Sequence, residues 1–249
     1  MNRLIISKTL GQTTICVIIG LVYRLFYCIR YPVQPRDSYT YEYLISQWSK
    51  SETLHYNRYP LSLWILKIPS SLFHCDIIKG GIIINMIIGI LLIVLTMMTT
   101  NKYFKTKGLA LIAGTLVATH PTLVHISCCF LRENTYLLFF SLSLVFLLRY
   151  FDSKHLVDLL LAGITGAVSF MCRFEGMEIV LIVYVLVFFL LFIKKLVLFK
   201  ALFHVAAFST VFFLTVRIIC ILCDFNTLDI KYILMPLELN TNYIPTEQG

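Results

Sequence analysis

Of the 249 residues, 59% are hydrophobic and only 14% charged, and the mean hydropathy is +0.84. An ordinary soluble domain carries about 25% charged residues, so this composition excludes a water-facing globule and points to lipid as the solvent. The net charge of +8 collects in short loops on one side once spans are placed, which marks topology and argues against a nucleic-acid partner.

In chain order, the basic start MNRLIISK leads into an apolar run to about Ile29. It imitates a signal peptide, but no small-residue cleavage site follows Gly20, so the sequence predicts an uncleaved first span. The stretch 30–59 is too charged for hydrocarbon and reads as a loop. Within it, Tyr41, Leu44, Ile45 and Trp48 recur at helical spacing after Asp37, which predicts an amphipathic helix at the interface. The run 61–73 is short, holds Lys67 and is bracketed by Pro60 and Pro69. A helix lying on the membrane across 60–75 is expected there. Apolar runs at 77–99, 108–126, 134–150, 156–171, 177–193 and 197–222 complete about seven crossings, with 223–249 as an outer tail. The expectation is one all-α, polytopic transmembrane domain over 1–249.

Charge fixes the expected orientation. The N-terminus, the loops 101–107 and 149–155 with Asp158, and the stretch 194–200 hold ten Lys/Arg and two acids. The remaining eleven basic and eleven acidic residues balance. The positive-inside rule therefore predicts a cytoplasmic N-terminus, an outward loop 30–59 and a multi-pass protein of the plasma (inner) membrane. The eight cysteines show no metal spacing: Cys220 and Cys223 form a lone CxxC, and Cys128 and Cys129 are neighbours. They read as apolar filler.

Three polar groups then fall on the outer side: Arg36-Asp37-Ser38-Tyr39 with Tyr41 and Glu42, Arg132-Glu133-Asn134, and Arg173-Phe174-Glu175 with Glu178. Ionisable groups near membrane depth are functional candidates, and arginine suits bidentate phosphate contact. Each group also has a plain reading. Asp37 fits a helix N-cap, and the Arg/Glu pairs fit interfacial anchors that reach to water. Composition alone leaves enzyme, transporter and scaffold open.

The order of these features carries a resemblance. A first-loop acid is followed by RYPLSLWILKIPSSLF and a basic turn. Then come ATHPTLVHISCCFLRENTYLLFFSLSLVFLLRYF and LLLAGITGAVSFMCRFEGMEIVL. This resembles the membrane module of the GT-C glycosyltransferases, in particular the dolichyl-phosphate-mannose protein mannosyltransferase and lipid A aminoarabinose transferase relatives, from about residue 10 to 195. It departs in having Pro60 where relatives often have two prolines. It also ends at Gly249, whereas relatives usually continue, which implies either a minimal or a truncated version.

The resemblance implies transfer of a sugar from a polyprenyl-phosphate donor to a lipid, glycan or protein acceptor at the outer face. Asp37 matches the family's first-loop acid, Glu133 the acid opening the fourth span, and Arg173 the arginine of the later turn. An inverting displacement needs a carboxylate to take the acceptor's proton and cations to hold the leaving phosphate. Asp37 is the candidate base, with Glu133 as a second catalytic carboxylate. Arg36, Tyr39, Arg58, Arg132, Arg173 and Glu175 are the candidate substrate-binding residues. A divalent metal (Mg or Mn) held by Asp37 is the alternative role for that acid. A polyprenyl-lipid flippase and a non-catalytic scaffold are the competing readings; a flippase predicts an inverted repeat with broken helices at mid-membrane.

Overall fold

Apolar runs of this length leave the backbone no water to bond, so each closes its hydrogen bonds internally as a helix. A computed structural model describes residues 2–49, 60–104, 106 and 108–223, and the described chain is all-α. Its helices are α1 (Asn2–Arg30), α2 (Arg36–Ser49), α3 (Pro60–Phe73), α4 (Ile77–Tyr103) and α5 (Leu109–Thr119). They continue with α6 (Pro121–Cys128), α7 (Glu133–Ser153), α8 (Leu156–Cys172), α9 (Glu178–Phe192) and α10 (Leu198–Leu222), with a 3-10 turn at Phe174–Met177 between α8 and α9. The expected tail beyond 223 and the candidate Arg58 lie outside the described residues.

Among the described residues, five helices are long and apolar enough to cross a membrane: Gly11–Arg30, Ile77–Tyr103, Glu133–Ser153, Phe174–Phe192 and Leu198–Leu222. A sixth is reached if α5 and α6, bent by 52°, form one span. The expected count of about seven requires α8 as well. That helix has 17 residues and rises about 25 Å, short of a bilayer core of about 30 Å. The protein is a multi-pass integral membrane protein on these lengths. Large apolar side chains such as Phe26, Phe188, Phe199 and Leu222 stay exposed on its outer surface, where lipid would meet them.

The α5–α6 bend was not expected within the run 108–126, and Pro121 causes it. Proline brings no N–H to the preceding turn and pushes the residue before it out of helical geometry. His120 accordingly sits at φ −60°, ψ 121°. The break leaves α5's last carbonyls without helical donors. Arg24, wholly buried on α1, answers one of them: its Nη1 donates to Ala118 O at 3.3 Å and to Gly20 O at 3.0 Å.

Packing divides into three apolar clusters. The largest joins α7 to α10 through Leu147, Leu159, Val183, Phe208 and Phe212. A small one joins Cys16, Ile93, Met97 and Ala118 of α1, α4 and α5. The third seats Tyr41 and Ile45 of α2 and Leu63 and Leu66 of α3 on Ile126 and the 129–131 turn. This last cluster brings the first loop over the starts of the later spans.

Candidate ion-paired site

The site is built on the turn between α6 and α7. Asn85, buried in the middle of α4, donates through Nδ2 to Cys129 O and Leu131 O, both at 2.7 Å. Asn134 Nδ2 donates in turn to Asn85 O at 2.5 Å. From the first loop, Gln34 Oε1 accepts the Phe130 N–H at 2.9 Å. The Phe130 ring lies where a Cβ on Gly81 of α4 would stand, so only glycine admits it. With its buried carbonyls and amide satisfied, this turn fixes Arg132 and Glu133 at the mouth of α7.

Arg173 meets Glu133 from the end of α8. It is extended (φ −152°, ψ 144°), which ends the helix and turns its guanidinium toward α7. Nη1 donates to Glu133 Oε1 at 2.6 Å, while Nε and Nη2 donate to Glu175 at 3.1 and 2.5 Å. Gly176 packs so tightly on Phe170 and Ser169 that a Cβ would collide with their backbone, and this close approach folds Glu175 back onto Arg173. The Glu175 bonds push the Arg173 guanidinium still further up from its ordinary pKa. Among the described residues, the buried Glu133 Oε2 has no hydrogen-bond partner. The arrangement therefore leaves a carboxylate oxygen ready to accept a hydrogen bond, beside a guanidinium that spends three of its five N–H donors on described residues.

Tyrosines lie under both arginines. The Arg132 guanidinium is 5.7 Å from the Tyr41 ring centre and that of Arg173 is 5.9 Å from Tyr136, both within cation–π range. Tyr41 lies where the charges of Arg132, Glu133, Asp37 and Arg173 all reach it, and burial pushes its phenol up from the usual value. Of the groups singled out in the sequence, Arg132 packs on this ring, and the charges of Asp37, Glu133 and Arg173 reach it.

The expected site residues fare differently. Glu133, Arg173 and Glu175 are bonded together, and Arg132 joins them across Tyr41. Asp37 is exposed and is the second residue of α2 rather than its cap. Arg36 and Tyr39 are also exposed on that helix. Among the described residues, no three His, Cys, Asp or Glu side chains group as a metal site. Sequence reasoning missed Gln34, Asn85 and Tyr136. Asn85 had a signal, being an amide in the apolar run GIIINMIIGILL; Gln34 and Tyr136 had none.

The family model described as dolichyl-phosphate-mannose-protein mannosyltransferase matches residues 57–220. That range takes in Arg132, Glu133, Arg173 and Glu175 and leaves Asp37 outside it. A search of curated proteins finds no significant match. Since the matched range is well over half of the 249 residues, the chain belongs to the dolichyl-phosphate-mannose-protein mannosyltransferase family.

Proposed function

We propose that the protein moves a sugar from a polyprenyl-phosphate-linked donor to a lipid, glycan or protein acceptor at the outer face of the plasma membrane. The supporting observation is the cluster in which Arg173 holds Glu133 and Glu175 while Glu133 Oε2 stays buried and, among the described residues, unpartnered. A buried polar atom without a partner is costly, and a ligand hydroxyl would supply one. The family match over the same residues supports the reaction class, and the charge bias of the loops supports the outward orientation.

In this reading Asp37 takes the proton from the acceptor hydroxyl, whose oxygen attacks the anomeric carbon as the bond to the phosphate oxygen breaks. A single displacement inverts that carbon and releases the polyprenyl phosphate. Arg132, with the Arg173 donors not engaged by Glu133 or Glu175, holds the charge that grows on the departing phosphate. Glu133 Oε2 accepts from a sugar or acceptor hydroxyl. The exposure of Asp37 on α2 suits a base that meets an incoming acceptor. No metal enters these steps.

Donor binding tests the reading. A charge-assisted phosphate contact contributes on the order of 1.5–3 kcal/mol, so Arg132→Gln should weaken polyprenyl-phosphate binding to the purified protein about ten- to a hundredfold. Arg132→Lys should rescue in part, since a point charge lacks the fork geometry. Equal binding by wild type and Arg132→Gln would remove Arg132 from the site. Absence of binding by wild type would leave a family member with no donor site.

A further inference from the structure

The last turns of α1 lie against the end of α6, beside the ion-paired cluster. Tyr27 OH and His125 Nδ1 share a hydrogen bond of 2.8 Å. One turn along, Cys128 Sγ donates to Arg24 O at 3.2 Å, the carbonyl that in helical geometry also receives the Cys28 N–H. Cys128 Sγ and the Cys28 backbone amide therefore share one carbonyl oxygen, and the two thiols lie close enough to influence each other. Cys28 is partly exposed and Cys128 buried. The neighbouring Cys129 faces elsewhere, with its sulfur on the His125 ring at 3.7 and 3.9 Å. Cys16 bonds toward α5 and Cys75 toward the Pro69 carbonyl.

We propose that Cys28 and Cys128 form a disulfide that staples the end of α1 to the turn leading into α7. The oxidant is a disulfide compound, of small-molecule or protein type. The partly exposed Cys28 thiolate attacks it, giving a mixed disulfide and one released thiol. The Cys128 thiol then loses its proton and attacks the Cys28 sulfur, which releases the second thiol. Two cysteine thiols are oxidised and one external disulfide is reduced to two thiols. Cys129 is the poorer competitor, because its sulfur is turned onto the His125 ring while that of Cys128 lies on the α1 carbonyl one turn before Cys28. The bond would close the two segments that Gln34 already joins, the approach to α2 and the 128–131 turn. Persistence in the cell requires an oxidising compartment and so rests on the outward orientation. Formation in the purified protein rests on neither that orientation nor the proposed transfer reaction.

The test uses the full chain with a protease recognition sequence placed in the 101–107 loop, so that cleavage separates Cys28 from Cys128. The protein is treated with oxidised glutathione in detergent, blocked with N-ethylmaleimide, cut and run without reductant. The two fragments should stay joined, separate on reduction, and run apart in Cys28→Ser and in Cys128→Ser. They should remain joined in Cys75→Ser and Cys129→Ser. On uncut wild type, which needs no variant to fold, maleimide-reactive thiols counted by mass should fall from eight by two. Fragments that separate in oxidised wild type, a linkage that survives Cys28→Ser, or a count that stays at eight would each overturn the proposal.

Discussion

Arg173 makes three charge-assisted contacts with one side chain, two to Glu175 and one to Glu133. Lysine has a single charged nitrogen and cannot reproduce that fork. Arg173→Lys should therefore lose at least one contact and free Glu133 to move, lowering transfer about tenfold or more while yield changes little, as followed by turnover per purified molecule. Unchanged turnover would make the pair an interfacial anchor. Asp37 poses the complementary question. It sits in the first turn of α2 without capping it, so a substitution should cost stability only through the helix dipole, at most about 1 kcal/mol. Asp37→Asn should express normally and transfer almost no sugar. A lower yield with intact turnover would show Asp37 to be a helix residue only. The sequence named Glu133, Arg173 and Glu175 because charge is rare in such a chain. Tyr41 and Tyr136 escaped it because an aromatic near a membrane surface has many ordinary uses.

At the level of elements, the turn between α6 and α7 depends on one amide from α4. Replacing Asn85 by leucine keeps the bulk but leaves the Cys129 and Leu131 carbonyls without their donor. Each buried carbonyl left unsatisfied costs about 1–3 kcal/mol. Asn85→Leu should lower the thermal midpoint in detergent by several degrees and reduce activity with it. Glu133→Gln, which keeps the shape of the side chain, should reduce activity with a small change in midpoint. Equal midpoints for Asn85→Leu and wild type would mean that other contacts hold the turn. Helix positions were legible from apolar runs and from the helical spacing of α2. The break at Pro121 lies inside an otherwise continuous apolar run, and its stabilisation by Arg24 could not be foreseen. That contact joins residues 94 positions apart, and periodicity carries no information at such a separation.

For the whole molecule, the membrane class followed from composition, whereas the number of crossings depends on lengths near a threshold. α8 falls at that threshold, and α5 with α6 counts as a span only across a 52° bend. Orientation rests on the loops, where Lys and Arg gather between alternate spans. In a background without native cysteines, a single cysteine at Lys105 should resist an impermeant maleimide in intact cells, while one at Ser51 should react. The reverse pattern would invert the topology and move the ion-paired cluster to the cytoplasmic side.

Sugar transfer at this cluster is tested most directly by supplying a labelled polyprenyl-phosphate sugar to the protein in liposomes, with and without a crude acceptor fraction. The account predicts acceptor-dependent loss of sugar from the lipid, release of free polyprenyl phosphate, and loss of both in Asp37→Asn and Glu133→Gln. A lipid that binds and crosses between leaflets but keeps its sugar with every acceptor would contradict it and identify a flippase instead.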